Sequence, residues 1–304
     1  MAQKLTRENA EKILRNVDNF LFDCDGVLWD GNGPIKGSLE TVMRLKELGK
    51  RVFHVTNNSL HTREHFVKKC ANYGYQVKQD EILCTAWIAA EYLRSKSFKD
   101  KVYVMGLKES MGEELNAFGI KNTGAGSDPL VGTSYGDWLE GVKLDPEVKC
   151  VLVGFDPHIS YMKLMRATSY LKKPDCLFIA TNTDNLLPVK NTDISIPDAG
   201  CMVSALTVAS GREPIVMGKP APNMFEVLRE VHNLDPSRCM MVGDRLDTDI
   251  MFAKNCGMQS LLVLSGISSV DDVEQAPNTS EAVDSRPDFY AENLAELGKF
   301  IVGN

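Results

Sequence analysis

No run of apolar residues in this chain approaches the roughly 18 needed to cross a bilayer, so no membrane-spanning helix is predicted. The opening Met1-Ala2-Gln3-Lys4-Leu5-Thr6-Arg7 carries no apolar stretch, and no signal peptide is expected. Positive charge is not in excess. The 34 Lys and Arg stand against 41 Asp and Glu, a net charge of −7, which points away from nucleic acid and from an anionic membrane surface. No two cysteines form a CxxC pair. Cys24, Cys70, Cys84, Cys150, Cys176, Cys201, Cys239 and Cys256 are scattered, which predicts reduced and mostly buried thiols in a cytoplasmic protein. A zinc site is not expected: His61 and His65 lie four apart on a predicted helix, but no further ligand accompanies them. Gly31-Asn32-Gly33 followed by Gly37 lacks the spacing of a dinucleotide-binding loop. There is no internal repeat and no low-complexity tract.

What is present is a chain of 304 residues, enough for one large domain or two moderate ones. Thr6 can cap a helix over 6–17, with Ala10, Ile13, Leu14 and Val17 on one face. Short apolar runs then alternate with helical patterns. The runs are Phe20-Leu21-Phe22, Val52-Phe53-His54-Val55, Val102-Tyr103-Val104-Met105, Pro214-Ile215-Val216-Met217, Cys239-Met240-Met241-Val242 and Leu261-Leu262-Val263-Leu264. Helices are expected near 38–48, 62–73, 222–232 and 247–256. Wholly apolar strands between helices predict a doubly wound, Rossmann-like α/β core, with a parallel sheet covered on both faces. The stretch 104–212 has its own Gly-rich turns, two strand candidates at 150–155 and 177–180, and a helix over 159–172. It predicts an inserted α/β domain, leaving 1–103 and 213–304 as the core. The acidic, polar segment 268–286 is expected to include loop.

Four of the expected core strands end in polar clusters. Phe20-Leu21-Phe22 runs into Asp23-Cys24-Asp25-Gly26, and Val52-Phe53-His54-Val55 into Thr56-Asn57-Asn58-Ser59. Ile215-Val216-Met217 runs into Gly218-Lys219-Pro220, and Met240-Met241-Val242 into Gly243-Asp244, with Asp249 five residues on. In an open parallel sheet, ligands sit beyond the carboxyl ends of the strands, so the four clusters converge. Several carboxylates in one pocket repel one another, and some would stay protonated unless a cation joined them. Hard oxygen ligands of this kind suit Mg²⁺. Alone, Asp23 and Asp25 could be a strand-end turn and Lys219 a surface loop; all four clusters together argue otherwise. Asp247 reads as a surface carboxylate, Cys24 as core, and the tryptophans Trp29, Trp87 and Trp138 as packing.

The four clusters, in this order, resemble the four motifs of the haloacid dehalogenase superfamily in its phosphatase branch. The insertion lies where the type-2 cap of that superfamily lies. Thr56-Asn57-Asn58-Ser59, Thr62-Arg63, Gly218-Lys219-Pro220 and the run Met241 to Asp249 are similar to the phosphoglycolate phosphatase and pyridoxal phosphatase (4-nitrophenylphosphatase-like) group. Ala180-Thr181-Asn182-Thr183-Asp184-Asn185 is similar to its phosphoglycolate side. The resemblance implies a phosphoric monoester hydrolase with Asp23 as nucleophile, forming an aspartyl-phosphate intermediate, and with Asp25 as general acid and then base. It implies Mg²⁺ on the side chains of Asp23 and Asp244 and the carbonyl of Asp25, with Asp249 in an outer shell. It implies charge shielding by Lys219, phosphoryl contacts from Thr56, Asn57 and Asn58, and a cap whose loop bearing Asn182 and Asp184 selects the substrate. Pro197-Asp198-Ala199-Gly200 departs from the Gly-rich turn usual in the family; Asp198 either adds charge near the anion pocket or, the reading favoured, caps the following helix.

The expected substrate is a small phosphorylated metabolite, with 2-phosphoglycolate leading. Pyridoxal 5′-phosphate or phosphoprotein hydrolysis by the same chemistry is the alternative. A non-catalytic phosphate-binding scaffold is the rival from another class, and the intact Asp23, Asp25, Lys219 and Asp244 count against it. By analogy with capped relatives, a homodimer through the cap is a further expectation.

Overall fold

The computed structural model describes residues 2–187, 193–275 and 285–301. Contacts divide the chain into two compact units, 1–56 with 66–83 and 219–304, and 57–65 with 84–218.

The first unit is built on a seven-stranded sheet. Its order is Gln3–Lys4, Phe289–Ala291, Gln259–Val263, Cys239–Gly243, Asn19–Asp23, Arg51–Thr56 and Ile82–Cys84. Every pair from Gln3–Lys4 across to Arg51–Thr56 is parallel. The interior strands are buried on both faces, which explains why they read as unbroken apolar runs and not as alternating ones. From the central strand Asn19–Asp23 the chain first winds one way, to Arg51–Thr56. It later returns on the other side through Cys239–Gly243 and Gln259–Val263. The crevice at that switch, beyond the carboxyl ends of the strands, is where an open α/β sheet places its ligands.

The helices form where capping and periodicity predict them. Thr6 accepts a hydrogen bond from the amide of Asn9, and the Asn9 side chain returns one to the Thr6 amide, opening the helix Arg7–Asn16. Ser38–Glu47, Arg63–Asn72 and Asn223–His232 follow the expected pattern. The expected helix at 247–256 starts as a π-type turn, Leu246–Ile250, and continues as Met251–Asn255. Within 268–286, which was expected to include loop, the structure has a helix, Val270–Gln275; residues 276–284 lie outside the described residues.

The second unit holds a five-stranded sheet, in the order Ile215–Val216, Leu177–Ala180, Val148–Val153, Lys101–Met105 and Asn122–Thr123, with parallel pairing throughout. Tyr161–Leu171 and Ala199–Ser210 pack on it, burying Ala167, Tyr170, Met202, Val203 and Leu206. This corrects two expectations. Val102–Met105 and Ile215–Val216 were expected in the core sheet, but their hydrogen-bond ladders run to Val148–Val153 and Leu177–Ala180. The boundaries expected at 103/104 and 212/213 therefore fall at 83/84 and 218/219, and 57–65 joins the second unit.

Candidate active site

Asp23 is the last residue of Asn19–Asp23, and Asp244 directly follows Cys239–Gly243. Phe22 pairs with Val242, so this register sets the two carboxylates side by side at the same sheet edge. The turn after Asp23 requires glycine at 26. Gly26 has φ of +86°, and a Cβ there would meet the Asp244 carboxylate at 2.5 Å. Gly266 leaves room on the other side, where a Cβ would fall 1.9 Å from the same carboxylate. The amide of Ile267 donates to Asp244 Oδ2 at 2.9 Å and holds it in place.

Lys219 joins the cluster. Its Nζ donates to Asp23 Oδ1 at 2.6 Å, to Asp249 Oδ1 at 2.7 Å and to the Val55 carbonyl at 3.4 Å. Asp249 Oδ2 accepts from the amides of Asp244 at 3.2 Å and Arg245 at 3.1 Å. Both Asp249 oxygens are thus engaged by the protein, which suits a carboxylate that orients Lys219 and the turn at 244–245. Asp23, Asp244 and Asp249 each offer an oxygen within 4.8 Å of the others.

Three carboxylates face one ammonium, and the imbalance shows in their acidity. Burial, opposed by Lys219 and reinforced by Asp249 and Asp244, pushes Asp23 well above the usual carboxylate range. Burial and Asp249 push Asp244 up to about 7. Burial alone would lower Lys219, but Asp23 and Asp249 outweigh it and hold the ammonium well above its ordinary value. The donor set of hard, buried, crowded carboxylate oxygens fits a small divalent cation, which would supply the missing positive charge.

A stability consequence follows. In the folded, metal-free protein Asp244 binds its proton more tightly than in the unfolded chain. Its contribution is therefore most favourable below the ordinary value near 3.8 and is lost as pH rises towards about 7. A divalent cation bound there would replace the proton at high pH. Saturating Mg²⁺ is expected to raise Tm at pH 8 by about 5 °C or more, and by far less at pH 5. Equal shifts at both pH values would contradict this electrostatic picture.

Asp25 lies past the strand end, and its carboxylate is about half exposed. Its Oδ1 accepts from the indole Nε1 of Trp29 at 2.9 Å, and Lys69 Nζ lies 3.8 Å from the same oxygen. Sequence reasoning took Trp29 as packing and passed over Lys69; no local pattern links either residue to Asp25. Thr56 closes Arg51–Thr56 in the first unit and is buried.

Asn57, Asn58, Asn182 and Asp184 belong to the second unit. Asn57 Nδ2 donates to Asp184 Oδ2 at 2.9 Å, Asn182 Nδ2 donates to the Asn57 carbonyl at 2.8 Å, and the Asp184 amide donates to Asn182 Oδ1 at 3.0 Å. Asn58 Oδ1 accepts from the Leu60 amide at 2.9 Å and closes its own turn. Three of these four residues are therefore brought together, while Asn58 serves its loop. Asp198 caps Ala199–Ser210 through the Ala199 amide, and burial together with Asp184 pushes it up to about 6. His61 and His65 stack with ring centroids 3.8 Å apart, and among the described residues no third ligand joins them.

Residues 20–121 match the family described as haloacid dehalogenase-like hydrolase, and residues 216–297 match its companion, HAD hydrolase-like. Glycerol-3-phosphate phosphatase from Homo sapiens is 40% identical, over 97% of this chain and 94% of that protein. The chain belongs to the haloacid dehalogenase-like hydrolases. Another relative of this hydrolase, phosphoglycolate phosphatase 2 from Arabidopsis thaliana, is also 40% identical and is covered to 98%, as is this chain. Among solved structures, glycerol phosphate phosphatase from Mycobacterium tuberculosis in complex with magnesium superposes with a TM-score of 0.75 at 26% identity, covering 94% of this chain and 77% of that one. Among the described residues of this hydrolase, no helix is long and apolar enough to cross a membrane.

Proposed function

We propose that this hydrolase is a Mg²⁺-dependent phosphatase of small phosphate monoesters, working through an aspartyl phosphate on Asp23. The observation that carries the reading is the Asp23–Lys219–Asp249 cluster beside Asp244, set at the carboxyl edge of a parallel sheet. Asp23 and Asp244 would hold the cation, joined by the Asp25 carbonyl. The cation, when bound, supplies charge neutralisation that lets two anions meet.

The chain's own residues then divide the work. Asp23, ionised, attacks phosphorus; the ester P–O bond breaks, and Asp25 gives its proton to the leaving oxygen. Asp25 next takes a proton from water as that water attacks the acyl phosphate, and Asp23 departs as carboxylate. Lys219 keeps one Asp23 oxygen oriented and balances charge on the phosphoryl group. In this reading the second unit, inserted between Thr56 and Lys219, is the cap. The eight free cysteines support a reducing compartment such as the cytoplasm.

The substrate class is read from the relatives. Relatives 40% identical to this chain are named glycerol-3-phosphate phosphatase and phosphoglycolate phosphatase, which supports a short aliphatic phosphate over a pyridine ring. We therefore favour two- and three-carbon phosphates, 2-phosphoglycolate and glycerol 3-phosphate. The test is phosphate release from 2-phosphoglycolate, glycerol 3-phosphate, pyridoxal 5′-phosphate and 4-nitrophenyl phosphate, with Mg²⁺ and with EDTA. The expected result is EDTA-sensitive turnover with the highest kcat/KM on an aliphatic phosphate. A preference for pyridoxal 5′-phosphate would overturn the substrate reading, and undiminished activity in EDTA would overturn the metal.

A further inference from the structure

The turn that follows Asp23 folds back on itself. The Gly26 amide donates to the Trp29 carbonyl at 2.7 Å, while the amides of Leu28 and Trp29 donate to the Cys24 carbonyl at 2.9 and 3.2 Å. This brings the Trp29 side chain under Asp25, four residues earlier. Trp29 is 1% exposed. Tyr73 and Tyr75 pack on it with centroids at 5.6 and 6.0 Å. Tyr75 is itself fixed, since its hydroxyl donates to the Leu28 carbonyl at 3.1 Å and lies 2.6 Å from the Ser38 hydroxyl. The indole cannot swing without disturbing all of these. A buried indole N–H needs an acceptor, and here that acceptor is Asp25 Oδ1 at 2.9 Å.

Lys69, on the helix Arg63–Asn72, completes the arrangement. Its Nζ lies 4.7 Å from the Trp29 ring centroid and 3.8 Å from Asp25 Oδ1. Both contacts fall on Oδ1. Filling the core requires only the ring of Trp29. It does not require the N–H to meet a half-exposed carboxylate, nor a lysine on the ring face aimed at the same oxygen.

We propose that Trp29 and Lys69 are positioning residues for proton transfer: they hold Asp25 by Oδ1 and leave Oδ2 as the oxygen that passes the proton to the leaving group. This deepens the phosphatase reading and rests on it. An exposed carboxylate left alone samples several rotamers, and a displacement of about 1 Å from reaction geometry can cost about 100-fold in rate.

The leaving group provides a readout that a merely structural role would not move. Nitrophenolate departs without a proton, whereas the alkoxide of glycerol 3-phosphate needs one in the step that kcat/KM reports. The experiment compares kcat/KM on these two substrates for wild type, Asp25→Asn, Trp29→Phe, Lys69→Met and Lys69→Arg. Trp29→Phe and Lys69→Met are expected to raise the aryl-to-alkyl ratio by about 10-fold or more, with Lys69→Arg restoring most of it. If Trp29→Phe does not fold, benzothienylalanine at position 29, which keeps the shape of indole and lacks its N–H, decides by the same ratio. A ratio that stays at the wild-type value in the variants at 29 and 69, while Asp25→Asn raises it, overturns this inference alone. A ratio that stays put in Asp25→Asn as well overturns the acid role of Asp25, and this inference with it.

Discussion

Asp23→Asn is expected to lower kcat by about 10⁴-fold or more, because the proposed mechanism forms its covalent intermediate on the Asp23 carboxylate, which an amide cannot replace as nucleophile. The same change should not harm the fold. Asn has the shape of Asp, and the substitution removes one negative charge from a cluster in which three carboxylates share one lysine. Lys219 keeps Asp249 at 2.7 Å, so no buried cation is left unpaired. Without metal, Asp23→Asn should therefore melt at or above the wild-type temperature. Calorimetry and steady-state kinetics on one preparation test both halves. An inactive protein that melts well below wild type would mean that Asp23 serves the fold first.

Asp25→Asn is expected to lower turnover by about 10² to 10⁴-fold. The amide can still accept the Trp29 indole hydrogen bond through its oxygen, so its position is kept while its proton is lost. The deficit should differ between parameters. On alkyl phosphates both kcat/KM and kcat should fall, because leaving-group departure needs an acid. On 4-nitrophenyl phosphate kcat/KM should fall little, while kcat falls through the slower hydrolysis step that needs Asp25 as base. Equal losses of kcat/KM on both substrates would remove Asp25 as the acid.

Much of the core was legible in the sequence because its strands are buried on both faces. Phe20-Leu21-Phe22 and Met240-Met241-Val242 read as apolar runs, and the polar residues that break them off, Asp23 and Asp244, are the ones the register brings together. The division into units was less legible. Val102–Met105 and Ile215–Val216 are as apolar as the core strands, and nothing local says which sheet a parallel strand joins. That choice is made by pairing with Val148–Val153 and Leu177–Ala180, many residues away. Lys219 was placed correctly beside Asp23 although the strand before it lies in the other sheet, because the signal lay in the residue and not in the strand.

The candidate site divides in the same way. Asp23, Asp244, Asp249 and Lys219 stand at strand ends or a few residues past them, positions a sequence marks. Trp29 and Lys69 do not. Trp29 reaches Asp25 only because Gly26 adopts a left-handed backbone that folds the turn back, and Lys69 arrives from a helix more than forty positions later. The Asn57 amide donates to Asp184, a pairing across 127 positions that no periodicity encodes.

The most direct test of the covalent mechanism is the stereochemical course at phosphorus, followed with a phosphate monoester made chiral by oxygen isotopes. Attack by Asp23 and then by water are two in-line displacements, each inverting, so the account predicts net retention. Net inversion would mean a single direct attack by water and would contradict it.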